Sequence, residues 1–204
     1  MQIIRAFKRQ KLLAMGLGLF LLGTSLVVLS RTSNRPVKAE LNQFTGLNQI
    51  EKALKQQTSV PPALPRKIPD VQRSSVSILL SEEKEYKVSL DVHPDCQGAT
   101  VCSFGRLEGK VLTGQTVQEE YGNPKDRSWQ PLAQSPLPEK TVTLANGNQG
   151  LFIPWVCGAH CSTSKIVWDQ DRYRYAIGLR GGMIPDDQEL DFLVAMANSA
   201  IENK

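Results

Sequence analysis

The chain is poor in histidine and in aromatic residues, and this scarcity limits the chemistry it can perform. Its 204 residues include two histidines, and aromatic side chains make up 6% of the sequence. A Ser-His-Asp site would have to use His93 or His160. The sequence also has no Gly-x-Ser-x-Gly elbow, His-Glu-x-x-His helix, phosphate-binding loop or dinucleotide-binding glycine pattern. We therefore expect no catalytic residues, no cofactor and no metal.

Acidic residues are absent from the first 38 positions, which carry seven lysines and arginines. From residue 70 onward the balance reverses, with 13 basic and 18 acidic residues. The net charge of +4 therefore arises from the N-terminal part of the chain. Because a nucleic-acid-binding domain needs basic residues clustered on its folded surface, we expect no nucleic-acid partner.

Residues 12–29 form an apolar run without any charge. As a helix, this run spans about 27 Å, close to the hydrocarbon thickness of a bilayer. Four basic residues precede it, which favours a cytosolic N-terminus. We predict a cytosolic basic tail at 1–11, a transmembrane signal anchor at 12–29 and an extracytoplasmic C-terminal domain. Cleavage after residue 30 or 39, giving a secreted protein, and a buried core helix are the alternatives.

Residues 45–57 have helical periodicity, with Thr45 as a possible N-cap. Four prolines follow within residues 60–69. Because proline fixes φ and removes a backbone donor, the pattern predicts an extended stalk, and a proline-rich ligand is the alternative. We interpret residues 30–69 as a juxtamembrane helix and linker, and place the start of the folded domain near Asp70.

Residues 70–204 are predicted to form an α+β domain. Alternation typical of strands occurs at 76–80, 86–92 and 104–112, and two hairpins are expected within 141–153 and 165–179. A C-terminal helix is expected from Asp186, which with Glu189 forms a capping-box-like pattern. Its apolar stripe requires a sheet to cover. The prediction is a mainly antiparallel sheet with one helix packed on it.

The four cysteines are disulfide candidates. They form two close pairs in sequence, Cys96 with Cys102 and Cys157 with Cys161. An even number of cysteines on a chain with an export segment favours disulfides. Local pairing would close loops of about seven and five residues, and cross-pairing of the two loops is the alternative. Since each histidine lies near a cysteine, a metal site is a further alternative.

Two pairs of adjacent carboxylates, Glu82-Glu83 and Glu119-Glu120, resemble those that a glycosidase needs. Adjacent acids in loops are more simply explained as solvated charge. Of the three tryptophans, Trp155 and Trp168 are expected in the core.

The C-terminal third has a Trp-bearing strand, a Tyr-bearing strand and a small-residue helix end: Ile166-Val167-Trp168-Asp169, Tyr173-x-Tyr175-x-Ile177 and Ala197-Asn198-Ser199-Ala200-Ile201. Over residues 141–202 the pattern resembles uncharacterised extracytoplasmic domains of bacterial envelope proteins, some of which have anti-sigma or sporulation roles. An anti-sigma role would require a cytosolic binding domain, for which residues 1–11 are too short. The resemblance implies no site residues.

The leading hypothesis is therefore a non-catalytic, membrane-tethered domain that binds an envelope partner protein or a ligand, in an accessory or assembly role. The alternative hypothesis is a hydrolase or metal-dependent enzyme that uses the cysteine- and histidine-bearing loops.

Overall fold

A computed structural model of the chain describes residues 41–43, 46–69, 74–122 and 130–203. The expected cytosolic tail at 1–11 and membrane anchor at 12–29 lie outside these residues. No helix within the described ranges combines the length and apolar character needed to cross a membrane. Residues Lys38–Lys204 belong to one compact unit.

The described ranges contain eleven strands and three helices. The strands are β1 (Leu41–Gln43), β2 (Lys67–Pro69), β3 (Ser75–Glu82), β4 (Glu85–Asp91), β5 (Ser103–Val111), β6 (Ala133–Gln134), β7 (Lys140–Thr143), β8 (Gln149–Ile153), β9 (Val156–Cys157), β10 (Thr163–Gln170) and β11 (Tyr173–Arg180). The helices are α1 (Gly46–Gln57), α2 (Val117–Tyr121) and α3 (Asp186–Glu202).

Seven of the strands form one antiparallel sheet in the order β3-β4-β5-β11-β10-β8-β7. Both predicted hairpins are present, as β7–β8 and β10–β11. In the β7–β8 turn, Asn146 and Gly147 have φ of 58° and 78°. These residue types tolerate the left-handed conformation, which explains why they mark the turn. The predicted α+β class, a mainly antiparallel sheet with a C-terminal helix, is confirmed.

Helix α3 packs against the central strands β10 and β11. One face of the helix is buried, and this face includes Leu193, Met196 and Ala200. The sheet contributes fully buried aromatic residues to the same core, among them Trp168 and Tyr86. Burial of large apolar side chains of this kind stabilises the domain by about 1.5–3 kcal/mol each. The main core therefore lies between one face of the sheet and the helices α1 and α3.

The start of α3 differs from the expected capping box. Asp186 is the first helical residue, Pro185 precedes it, and no side chain caps the helix. Glu189 points instead into the protein and is 1% exposed. A capping box does occur at α2, where Thr116 accepts a hydrogen bond from the Glu119 backbone and Glu119 accepts one from the Thr116 backbone. The capping box expected at α3 is therefore wrong, and the one at α2 was not predicted from the sequence.

The proline-rich segment also differs from the extended stalk expected between the membrane and Asp70. Val60, Ala63, Leu64 and Ile68 are at most 2% exposed and belong to the main core. The backbone N–H of Ala63 donates to the hydroxyl of the buried Tyr86 over 3.0 Å. Because several apolar side chains of the segment enter the core, among them the adjacent Ala63 and Leu64, the segment covers the sheet. Helix α1, which contacts β3, belongs to this same compact unit.

The opposite face of the sheet is polar. A small apolar cluster, built from Ile153, Val167 and Ala176, packs there against side chains of α2. Beside it lies Arg174, whose guanidinium is 2% exposed and pairs with Asp169 and Glu120. These ion pairs attach α2 to the sheet. The helix covers only part of this face.

Candidate functional site

Two disulfide-closed loops stand at one edge of the sheet. Loop 1, closed by Cys96–Cys102, connects β4 to β5, and loop 2, closed by Cys157–Cys161, lies between β8 and β10. Both disulfides are local, so of the two pairings left open by the sequence, the structure has the local one. The end of β11 pairs with the start of β5 on one side and with the start of β10 on the other. This pairing brings the two loops to the same edge of the sheet.

Loop 1 is fixed to the sheet through Asp91, a fully buried carboxylate at the end of β4. The carboxylate accepts hydrogen bonds from Ser77 Oγ over 2.9 Å, from Ser89 Oγ over 2.6 Å and from the Gly98 backbone over 3.1 Å. Gly98 has a φ of 79°, a conformation that glycine adopts without steric cost. A buried carboxylate with three donors is well satisfied, and it holds the loop backbone in place.

Arg180, at the end of β11, links loop 1 to the centre of the sheet. Its Nη1 donates to the carbonyl oxygens of Thr100 and Val101 over 3.2 and 3.1 Å. Loop 2 is braced differently, since Val156 and Ser162 exchange hydrogen bonds across its neck over 2.9 and 2.8 Å. Both loops are therefore held by covalent and hydrogen-bonded contacts at their bases.

Between the two loops lies a groove of about 730 Å³, which we call the loop groove. Loop 1, loop 2 and the polar face of β5 and β10 line it. The lining residues are Thr100, Val101, Ser103, Gly105, Arg106, Glu108, Gly158, Ala159, His160, Cys161, Ser162, Thr163, Lys165 and Arg180.

A single row of cross-strand neighbours forms the base of the groove. Lys165 on β10 is paired with Gly178 on β11, and Gly178 is paired with Arg106 on β5. Directly paired residues point to the same face of a sheet, and neighbouring strands lie about 4.8 Å apart. Lys165 and Arg106 therefore rise about 10 Å apart on either side of a residue that has no side chain. The side chain of Thr163 occupies part of the space beside this glycine, since its Oγ1 would lie 2.9 Å from a Cβ at position 178.

The groove carries more positive than negative charge. Arg106, Lys165 and Arg180 line it, and Glu108 is its only carboxylate among the described residues. Arg106 Nε lies 3.9 Å from Glu108 Oε1, a loose contact. Across the described ranges, the Lys165 ammonium has no hydrogen bond or salt bridge and stands 5.3 Å from the ring centroid of Tyr121. Burial lowers the pKa of Lys165, partly opposed by the charge of Glu108.

A second hollow of about 620 Å³ lies on the far side of loop 2. It shares Gly158, Ala159, His160 and Ser162 with the loop groove, so one loop separates the two depressions. Each depression has one large apolar side chain that is exposed to solvent. Val101, next to Cys102 in loop 1, is 82% exposed, and Leu132, beside the second hollow, is 83% exposed.

The two histidines are placed differently. His160 lines both depressions, whereas His93 precedes the short helical turn at Pro94–Cys96, and its Nδ1 accepts a hydrogen bond from the backbone N–H of Asp95 over 3.3 Å. All four cysteine sulfurs are in disulfides, so no thiolate remains as a ligand. In the part of the chain that the structure describes, no group of three or more histidine, cysteine or acidic residues is arranged to hold a metal.

Both side chains of the Glu119-Glu120 pair have structural partners. Glu119 caps α2, and Glu120 contacts Lys110 and Arg174. Glu83 lies at the β3–β4 turn, where its carbonyl accepts a hydrogen bond from the Ser59 backbone over 2.8 Å. Trp168 is fully buried, as expected, and Trp155 is half-buried beside Gly181.

Sequence reasoning missed the cationic row altogether. Lys165 and Arg106 are separated by 59 positions along the chain, and each appears as an ordinary outward-facing residue of a strand. The available signal, a charged residue on each of two strands and a glycine on a third, does not show which strands are neighbours.

Comparison with family models, with curated proteins and with solved structures found no match to this chain.

Proposed function

We propose that the chain is a non-catalytic, membrane-tethered extracytoplasmic domain that binds a partner protein or ligand in the loop groove, in an accessory or assembly role. The observation that carries this proposal is the groove itself, a cationic depression bounded by two disulfide-closed loops. Binding residues often sit on loops that a rigid scaffold positions, and here both loops are fixed at their bases.

Rigid loops favour binding for an energetic reason. Each side chain or backbone segment that must be ordered on association reduces the affinity, and a disulfide-closed loop has lost most of that freedom beforehand. The exposed Val101 of loop 1 supports the same interpretation, because apolar side chains are energetically useful at an interface and unfavourable in water. The tether rests on the apolar run at residues 12–29.

Site-specific photocrosslinking of the full chain in its native membrane tests the proposal. A photoreactive residue at Val101 is expected to give a discrete crosslinked product, because this position lies at the lip of the groove. The matched control is the same residue at Lys52, which is exposed on α1 away from the loops. Arg106→Glu is expected to reduce the crosslink from position 101.

Equal yields from positions 101 and 52, or no product from position 101, would contradict the proposal. Free thiols with stoichiometric zinc in the purified full chain would instead support the metal-dependent enzyme.

A further inference from the structure

We propose that the loop groove receives an acidic, extended segment of a partner protein, whose carboxylate is held between Lys165 and Arg106 and whose apolar side chains contact Val101 and Leu132. This inference rests on the proposed binding function and adds the chemistry of the partner.

The first step is the unpaired cation. Lys165 is partly buried, yet within the described ranges no carboxylate lies within salt-bridge distance of its ammonium. Removing an ammonium from water without a counter-charge is unfavourable, and a ligand carboxylate would supply that charge. Tyr121 offers only its ring face, a weaker partner for a cation.

The second step is the geometry of the base. Lys165 and Arg106 flank Gly178, and their side chains are long enough to converge over the gap of about 10 Å. A carboxylate placed there accepts from the lysine on one side and from the guanidinium on the other, which are charge-assisted hydrogen bonds. Glu108 lies against Arg106 only loosely, at 3.9 Å, so the guanidinium retains donors for a ligand.

The third step distinguishes a peptide from a small anion. The loop groove and the second hollow share loop 2, and exposed apolar side chains stand beside each depression, Val101 at one and Leu132 at the other. A free phosphate would leave both of these side chains in water. A peptide segment with apolar residues on either side of its carboxylate covers them and removes apolar surface from solvent.

A membrane surface fits the same residues less well. Val101 and Leu132 could touch a bilayer, but Lys165 is recessed at the base of the groove and partly covered by Tyr121. A flat array of lipid headgroups would reach the lips of the groove and not its base. The recessed cation therefore favours a narrow extended segment.

Fluorescence anisotropy on the full chain in nonionic detergent tests the inference. The probe is a short peptide in which glutamates alternate with leucines, carrying a neutral label. Its matched peptides replace every glutamate by glutamine, or every leucine by serine. We expect the acidic apolar peptide to bind, and each replacement to weaken binding about tenfold or more.

Variants assign the binding to the groove. Lys165→Met and Arg106→Gln are each expected to weaken binding of the acidic peptide about tenfold, as expected for the loss of a charge-assisted hydrogen bond. Lys52→Met, a matched change on α1, is expected to leave it unchanged. Thermal melting of each variant verifies folding, and the more exposed Arg106 provides a second test if Lys165→Met is unstable.

Equal binding of the glutamine peptide, no binding of the acidic peptide, or no effect of both groove variants would overturn the inference. Displacement of the peptide by equimolar inorganic phosphate or glycerol phosphate would also overturn it, in favour of a small anion or a lipid headgroup. Failure here with a persistent crosslink from position 101 would reject the acidic segment and leave the proposed binding function in place.

Discussion

Arg174 places a positive charge in the interior of the protein, where carboxylates and carbonyl oxygens surround it. The guanidinium donates to Asp169 over 2.7 and 2.9 Å, to Glu120 over 2.7 Å, and to the carbonyl oxygens of Thr116 and Gln115. A buried charge of this kind stabilises the fold only while all its partners are present.

Arg174→Met is expected to destabilise the domain by about 3–5 kcal/mol, because it leaves Asp169 without its cation and Glu120 with Lys110 alone. Urea unfolding of the purified chain measures the change. Adding Asp169→Asn to Arg174→Met is expected to recover part of the loss, since the unpaired carboxylate is removed. Arg172→Met, at the exposed β10–β11 turn, is the control and is expected to have a much smaller effect. Equal losses from Arg174→Met and Arg172→Met would contradict the role assigned to the network.

Glu189 is a second buried charge with fewer partners. Burial raises the pKa of its carboxyl group, although a hydrogen bond from Ser164 acts in the opposite direction. Among the described residues, its Oε2 has no hydrogen-bond partner. Because the folded-state pKa lies above the unfolded value of about 4.5, the folded chain binds this proton more tightly.

The contribution of Glu189 to stability is therefore full below the unfolded pKa and is lost as the pH rises through the folded pKa. We expect Glu189→Gln to raise the free energy of unfolding relative to the native chain by about 1 kcal/mol at neutral pH and to lose that advantage in acid. Denaturant titrations from pH 4 to pH 8 measure the difference. Glu202→Gln, exposed at the other end of α3, is expected to show no such pH-dependent gain. A gain in the free energy of unfolding from Glu189→Gln that does not change with pH would contradict a raised pKa for Glu189.

Among the elements, the proline-rich segment has the most unexpected role. Prolines indicate an extended backbone, and the segment from Val60 to Ile68 has no regular structure before β2 begins. An extended segment is compatible with a stalk and also with a strap across a core. Its side chains decide between the two, and Val60, Leu64 and Ile68 are buried.

Leu64→Ala is expected to destabilise the domain by about 2–5 kcal/mol, because it removes buried methyl groups and leaves a cavity in the core. The measurement is the urea midpoint of the purified chain. Leu132→Ala serves as the matched control, since Leu132 is 83% exposed and leaves no cavity. The same urea midpoint for a chain that begins at residue 70 and one that begins at residue 38 would show that residues 60–68 do not stabilise the core.

The regular elements could be predicted because their signals are local. Alternation in β4 and β11, the Asn146-Gly147 turn and the apolar stripe of α3 each depend on neighbours within a few residues. The cap of α3 was mispredicted because Glu189 is drawn into the core beside Ser164, a contact between distant parts of the chain. The cationic row was beyond prediction for the same reason, because it depends on which strands are neighbours.

At the scale of the whole molecule, both disulfides fit an oxidising compartment, which is where the proposed tether would place the domain. The five- and seven-residue loops that they close each restrict the unfolded chain by about 2 kcal/mol in the loop-entropy model. With the proposed tether, the free energy of unfolding therefore depends on the compartment in which the disulfides form.

Deletion of residues 12–29 is expected to leave the chain in the cytosol with reduced cysteines and a lower free energy of unfolding, by about 2 kcal/mol for each missing disulfide. Thiol alkylation followed by mass spectrometry counts the free sulfurs. The full chain from membranes is expected to have none. A cytosolic deletion chain with both disulfides intact, or a full chain with four alkylated sulfurs, would contradict the coupling.

The cysteines pair in the order in which they occur along the chain, the first with the second and the third with the fourth. With the proposed anchor, the residues nearest to it cross the membrane first, so Cys96 and Cys102 would meet an oxidant before Cys157 has crossed. Each bridge can then form as its loop emerges, with no wrong partner yet available. Maturation of this chain should accordingly require an oxidase and proceed without an isomerase to reshuffle mispaired bridges.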